Sequence, residues 1–317
     1  MVFTTIDTSL TPIAAMGYQN IPNILDNGGC EIFQRGTSNN PIEGQYTVAD
    51  RWKVTSFNGT GTFTASKETG AGNFDSGTSS LKLNLTATGS ATLFDLGNYV
   101  ENFASYRGKT ISVYARVKSN VATVLRISDG ISVTTIATHT GSGNFETLQG
   151  TFVVSSIASE LQVLFRNSAS AIFTTYVDSV MLVLGSTPVP FVPTNPQVDL
   201  ARCQRYFWRV GQANGVALVG TVYGLGHATS STSAYGYLYP PVTMRVAPTV
   251  TFVSPTLMQL HNAAGGNIST TAVISSYQAP GVVVWTATVS SGLVAGNVTA
   301  LETQNASAAP IDVSADL

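Results

Sequence analysis

From Trp52 to Leu184 the sequence is a succession of short runs in which apolar and polar residues alternate, separated by Gly, Asn and Ser. A period of two puts every second side chain on one face, the mark of a strand with one buried side. Leu81, Leu83 and Leu85 share such a face, as do Ile111, Val113, Ala115 and Val117, and again Leu161, Val163 and Phe165. The runs predict strands at 52–57, 61–66, 80–86, 91–96, 109–118, 121–128, 131–138, 145–154, 160–167 and 172–184. Short strands with one apolar face each close a core as a two-sheet sandwich of the jelly-roll kind. Further runs at 214–227, 232–239, 248–254, 256–261, 267–276, 282–290, 295–302 and 311–315 predict a second sandwich over 211–317.

Composition agrees with an all-β chain. The 317 residues are 44% apolar and 10% charged, the reverse of a disordered balance. Thr, Ser, Val, Gly and Ala outweigh Lys and Glu, which favours strands over helix surfaces. The net charge of −2, with no basic cluster, argues against nucleic acid, whose phosphates need grouped Lys and Arg. No apolar run is long enough to cross a membrane as a helix, so no membrane insertion is expected. Met1 to Gly17 lacks the basic region and apolar core of a secretory signal, so synthesis in a cytoplasm is expected. Cys30 and Cys203 match no zinc or disulfide spacing and read as small buried apolar residues; a bridge between them is the alternative.

Pro188, Pro190, Pro193 and Pro196 mark a linker, and three arginines and three adjacent aromatics follow in Asp199-Leu200-Ala201-Arg202-Cys203-Gln204-Arg205-Tyr206-Phe207-Trp208-Arg209. Asp199 as N-cap, with Pro196 launching the turn, predicts a short amphipathic helix with Leu200, Cys203 and Phe207 on one face. A capped turn leading into a strand at 206–210 is an equal alternative. Linker and helix are assigned to 188–210, between a first sandwich at 21–187 and a second at 211–317. Residues 1–20 are poor in pattern and read as an arm or a loose terminus. Arg202, Arg205 and Tyr206 are the residues expected to hold the join.

Catalytic constellations are poor. His139, His227 and His261 stand in no metal spacing, and there is no nucleophile elbow or phosphate loop. No enzyme is expected. Asp50 and Arg51 read as a local ion pair. Sugar binding rests on aromatics, because a flat ring offers an apolar surface to the C–H face of a pyranose. Tyr46, Trp52, Tyr99 and Tyr106 in the first sandwich, and Tyr235, Tyr237, Tyr239 and Trp285 in the second, are the rings considered. Trp52 reads as core. Tyr99, Tyr106, Tyr235, Tyr237 and Tyr239 are retained as glycan-binding candidates, although alternate tyrosines equally suit sheet packing or a subunit interface.

Two resemblances extend this reading. Asn27-Gly28-Gly29-Cys30-Glu31, Arg107-Gly108-Lys109-Thr110-Ile111, the Phe-led run from Phe145 and Tyr176-Val177-Asp178-Ser179-Val180 resemble the carbohydrate-binding modules of the galactose-binding-like jelly-roll fold over about residues 21–185. That likeness implies a structural calcium with Glu31 and Asp178 as ligands; the alternative is two carboxylates accepting backbone N–H bonds at strand ends. The run Asn27 to Gly36 with Ala49-Asp50-Arg51-Trp52, then Arg202-Cys203-Gln204-Arg205-Tyr206-Phe207, resembles phage and prophage virion proteins, as do Met244-Arg245-Val246-Ala247-Pro248-Thr249-Val250-Thr251 and Ala315-Asp316-Leu317. This second likeness implies a tail fibre, head fibre or capsid decoration in the virion. It would be a homo-oligomer, with a trimer favoured, would dock to other virion proteins through the arm, and would bind host surface glycans. The alternative is a non-catalytic carbohydrate-binding module of a bacterial surface or secreted system. A glycan-cleaving enzyme is the weakest of the three readings.

Overall fold

The computed structural model describes residues 21–41, 44–57, 59, 61–75, 77–168, 171–213, 216–217, 221–262, 266–304 and 309–316; the arm expected over 1–20 lies outside them. The alternating runs become antiparallel strands of two packed sheets. The first sheet holds β1 (Ser38–Asn39), β3 (Thr62–Glu68), β4 (Ser80–Ala87), β11 (Phe173–Leu184), β6 (Thr110–Ser119) and β9 (Phe145–Val153), in that spatial order. The second holds β2 (Trp52–Phe57), β5 (Leu93–Tyr99), β10 (Gln162–Ser168), β7 (Thr123–Ser128) and β8 (Val133–Thr138). Every leucine, isoleucine, valine and phenylalanine of the three faces named above is buried, so register and alternation agree. Between the sheets, Phe63 meets Phe94 edge-on at 4.4 Å, and Trp52, fully buried, lies 5.9 Å from Phe165. Cys30 and Cys203 are buried and unpaired, and burial pushes both thiols up.

Strand β11 is irregular where the N-terminal segment meets it. Its pairing with β6 shifts between Asp178 and Met181, and Ser179 takes φ 55°. Val180 donates to the Gly28 carbonyl, and the Asn23 amide donates to Val180. A Cβ on Gly28 would sit 2.2 Å from the Val180 oxygen, so only glycine permits this approach.

The linker packs on the outside of the first sandwich, where Val189 is buried with Met181 and Val183. Helix α1 (Pro196–Gln204) follows. Its cap is Asn195, whose side chain accepts from the Gln197 N–H, and Pro196 takes the first helical position. Asp199, expected as the cap, lies in the first turn instead, because the capping position belongs to the residue ahead of the proline. Helix and strand are then both realised, since β12 (Phe207–Val210) begins three residues after α1 ends.

The rest of the chain builds around a second core. Two-residue strands β13 (Gln212–Ala213) and β14 (Val216–Ala217) pair with each other. Strands β15 (Val222–Ala228), β16 (Ser233–Leu238), β20 (Val282–Val289), β19 (Asn267–Ala279), β18 (Met258–Asn262) and β21 (Val298–Thr303) form a closed barrel in that order. Strand β12 pairs with β22 (Ile311–Ser314), which also pairs with β17 (Thr249–Phe252), making a three-stranded sheet against the barrel. The alternation predicts an open second sandwich; the pairing of β15 with β21 closes it instead. Glycines make room for the barrel's centre. A Cβ on Gly236 would lie 2.4 Å from the Trp285 ring and one on Gly224 2.3 Å from the Tyr237 oxygen.

Gly236→Ala therefore overpacks the barrel and should lose about 2 kcal/mol of stability, read by urea unfolding with Trp fluorescence. Gly281→Ala, whose added methyl meets nothing within 4 Å, should be near neutral under the same conditions.

Candidate functional site

The five motifs of the virion resemblance are spread along the sequence, and the fold brings residues of each to one place. Asn27, at φ 53°, is the pivot. Its side-chain oxygen accepts from the N–H groups of Glu31 and Ile32, and its amide donates to the carbonyls of Ile32 and Asp50. Its own carbonyl accepts the Trp52 indole N–H at 3.0 Å, and its N–H donates to Asp199 of α1 at 3.0 Å. A short polar side chain tolerates the left-handed conformation and satisfies the turn at the same time.

Around this pivot the charged residues interlock. Asp50 is buried and accepts from Arg35 at 2.9 Å and from the Gln34 amide at 2.6 Å. Gln34 also donates to the Phe207 carbonyl of β12, and Arg35 reaches Asp316 and lies 3.8 Å above the Phe207 ring. Arg51 is fully buried at φ 73°, a conformation that non-glycine residues rarely hold without support. Tyr206 supplies that support, with its ring 3.5 Å from the Arg51 guanidinium, while Arg51 donates to the Tyr99 carbonyl and pairs with Asp26. Arg202 pairs with Asp26 at 2.7 Å and donates to the Asn23 carbonyl; Arg205 and the Tyr206 hydroxyl both reach Glu101. Arg209 pairs with Asp312 and donates to the Arg35 carbonyl. Arg245 donates to the carbonyls of Ala315 and Asp316, and Ala315 donates to the Tyr206 carbonyl. The first sandwich, α1 and the barrel's three-stranded sheet are thus joined through charge-assisted bonds that are buried in part.

Burial sets the electrostatics. It pushes the Asp50 carboxyl up to about 6, against the pull of Arg35 and Gln34. Burial also works to raise Glu101, but the hydrogen bonds from Arg205 and Tyr206 hold it below the usual carboxylate range. Burial raises the Tyr206 hydroxyl as well. A cleft of about 860 Å³ runs beside the interlock between α1, β12 and the first sandwich. Four of its polar side chains are already engaged: Gln34 by Asp50 and Phe207, Glu31 by Thr78, Asp199 by Asn27 and Arg209 by Asp312.

The calcium candidates are held by the chain itself. Glu31 accepts from the Thr78 N–H and hydroxyl, both at 2.6 Å, and Asp178, fully buried, accepts from the Asp75 N–H and the Ser179 hydroxyl. Among the described residues no three His, Cys, Asp or Glu side chains converge to hold a metal. The bonds found are those of carboxylates ordering a loop.

The aromatic candidates separate into four environments. Trp52 and Trp285 are core, at 0% exposure. Tyr106 lies half-buried against the first core, on the short turn after β5. Tyr235, Tyr237 and Tyr239 line the outside of the barrel, with Tyr237 and Tyr239 stacked at 6.3 Å. Tyr99 stands on the outward face of the five-stranded sheet, beside the Lys53 ammonium, which is 5.5 Å from its ring. The register sets Gln162 directly across from Tyr99, then Lys53–Gly97–Leu164–Arg126 as the next row, then Thr55–Asp95–Arg166. Asp95 and Arg166 form a bidentate pair at 2.7 and 2.6 Å, and the buried Arg126 Nη1 has no hydrogen-bond partner among the described residues. Burial and the neighbouring Arg166 lower the Arg126 guanidinium. The Leu164 side chain lies over Gly97, where an added Cβ would meet its Cδ2 at 2.8 Å, and fills the middle of the face. Sequence reading singled out Tyr99 but not Lys53, Gln162 or Arg126, whose outward alternation on β2, β10 and β7 is the signal that marks them.

No protein-family model matches the sequence, and no curated protein is significantly similar to it. Solved structures are similar over about half of the chain. A cyclase from Fischerella sp. in its apo form shares 12% identity over 53% of this chain and 96% of its own, with a TM-score of 0.36. A CBM61 module in complex with β-1,4-galactotriose shares 14% over 52% of this chain and 99% of its own, with a TM-score of 0.33. The enzymatically active domain of tailspike protein 4 from bacteriophage CBA120 shares 14% over 51% of this chain and 21% of its own, with a TM-score of 0.34.

The raised Asp50 carboxyl gives a pH dependence of defined sign. The folded protein holds this proton more tightly than the unfolded chain, so Asp50 costs stability as pH rises from about 4 to about 6. Between pH 4 and 7 the stability of the native protein relative to Asp50→Asn should fall by about 2 kcal/mol, most of the worth of a two-unit shift at a buried group. Denaturant titrations of both proteins across this range measure it; a difference that does not move with pH would show that Asp50 titrates normally.

Proposed function

We propose that this chain is a non-catalytic structural protein of a bacteriophage particle, a tail fibre, head fibre or capsid decoration, whose first sandwich binds host surface glycans. The observation that supports the structural part is the convergence of the motifs. Residues of the Asn27–Gly36 run, the Ala49–Trp52 run, the Arg202–Phe207 run and the C-terminal Ala315-Asp316 meet in one interlock. The resemblance to virion proteins therefore follows one built element, and the element's physical effect is to fix two β-bodies in a set orientation. A rigid strut needs such a join, whereas a lone binding module has no use for it.

The glycan-binding part rests on the outward face of the five-stranded sheet. Tyr99 gives a half-buried ring, with the Leu164 side chain beside it over Gly97, and Lys53, Gln162, Arg126 and the Asp95–Arg166 pair stand on the same face as polar groups. An apolar platform with a few convergent polar groups is how hydroxyl-rich ligands are oriented. The same face also favours the second reading, a carbohydrate-binding module of a bacterial surface or secreted system. The two readings part on location: a fixed copy number in purified phage particles supports the first, and recovery only from the bacterial surface or medium supports the second.

Screened on an array of neutral and acidic hexose oligosaccharides, the full chain should bind at least one class. Tyr99→Ala, a change at the surface, should weaken that binding by about tenfold or more while leaving the melting temperature within a few degrees.

A further inference from the structure

The outside of the barrel carries a face that neither the interlock nor the Tyr99 site uses. One cross-strand row runs Val298, His227, Tyr235, Thr286 and Ile274 over β21, β15, β16, β20 and β19. The adjoining row runs Ala300, Leu225, Tyr237, Val284 and Tyr277 over the same five strands. Neither row contains Lys, Arg, Asp or Glu. Leu225 is 64% exposed, Ile274 59% and Val298 60%, with Tyr237, Tyr239 and Tyr277 also open to solvent. The pattern is inverted relative to a solvated barrel wall, which places polar residues at the outward positions of each strand.

We propose that this face packs against the same barrel in a second copy of the chain. The inference deepens the reading of the chain as an assembling structural protein and rests on it. Three observations favour a second copy over other occupants. First, the size fits: the six exposed apolar and aromatic side chains offer on the order of 600 Å², and the half-buried Val284 and Thr286 of the same rows bring this toward the ~800 Å² that each partner of a standard interface buries. Second, the two rows are uncharged, with Glu302 in the next row, across from Val222 and bonded to Gln259, so two identical copies meet over them without like-charge repulsion, while a different partner finds no charge there to be selected by. Third, the tyrosines engage one another, Tyr235 to Tyr237 edge-on and Tyr237 to Tyr239 stacked, and no amide or charged side chain of either row stands beside them to orient a sugar. Aromatic-rich, charge-poor patches of this kind form interface centres.

The test is the mass in solution of the full chain at micromolar concentration, by light scattering. The native protein should run as a closed multiple of the single chain. Leu225→Glu combined with Ile274→Glu should bring it to the single-chain mass with the circular dichroism spectrum and melting temperature of the native subunit preserved, because both side chains already face solvent. Val153→Glu, at an exposed position of the first sandwich, should leave the multimer intact. A native protein that is monomeric overturns the inference, and so does a multimer that survives the double substitution. The second outcome moves the contact elsewhere and leaves assembly standing; the first leaves presence in phage particles as the separate check on the structural reading. Glycan binding that is lost in the double variant of a monomeric protein would reassign the face to a ligand.

Discussion

The burial of Arg51 beneath Tyr206 is the contact on which the relation of the two halves depends. A guanidinium removed from water needs an opposite charge and close cover, all the more where, as at Arg51, Nε and Nη1 find no hydrogen-bond partner among the described residues. Here Asp26 supplies charge, the Tyr99 carbonyl accepts a bond and the Tyr206 ring covers one face. Asp26 and Tyr99 belong to the first sandwich and Tyr206 to the segment that opens the barrel's sheet. Separating the halves would strip cover from a buried charge held in an unfavourable backbone conformation. The same logic runs through Arg35, which is shared between Asp50 on one side and Asp316 on the other.

Such a join is a poor way to gain stability and a good way to gain orientation. Desolvating several charges offsets most of what their pairing returns, and the raised Asp50 carboxyl shows that burial outweighs its partners at that position. An apolar plug would hold two bodies together as firmly but would accept many rotations. Bidentate and directional bonds, such as those of Arg205 to Glu101 and Arg209 to Asp312, accept one. The three non-glycine residues at positive φ in this region, Asn27, Cys30 and Arg51, fit that account, since strained backbone persists only where its surroundings over-determine it.

The strands were legible because period-two alternation is a local property. Leu81, Leu83 and Leu85 face the core as their spacing requires, and 80–86 differs from the observed strand by one residue. What depends on distant residues was less legible. The alternation of β15 and β21 says nothing about their pairing with each other, so the closure of the barrel was not readable. Asp199 and Asn195 are both good caps, and the choice between them turned on Pro196, which fits the first helical position and so moves the cap to the residue before it. Trp285 lies inside because Gly224 and Gly236 on neighbouring strands clear space for it, a relation between three residues that one strand cannot display. Asp50 and Arg51 read as a local ion pair, but each is claimed by a different partner: Asp50 by Arg35, and Arg51 by Asp26 and Tyr206.

The two outward faces differ in a way that assigns them different work. Around Tyr99, ionic and amide groups share a face with one aromatic ring, and two of them are held in place: Arg166 by Asp95, Lys53 by the rings of Tyr99 and Tyr46. A surface of that kind keeps its water until a hydroxyl-rich ligand replaces it bond for bond. On the barrel, the outward rows hold branched and aromatic side chains without charge, and there water is gained by nothing and lost at a profit on contact with another apolar surface. A chain with only 10% charged residues that places many of them in a buried join and a sheet face leaves few for the barrel wall. The rigid join then has a mechanical consequence: if barrels associate, the first sandwiches are carried at fixed angles around them. Weak single-site binding of a glycan would become avid when several fixed sites meet a surface together.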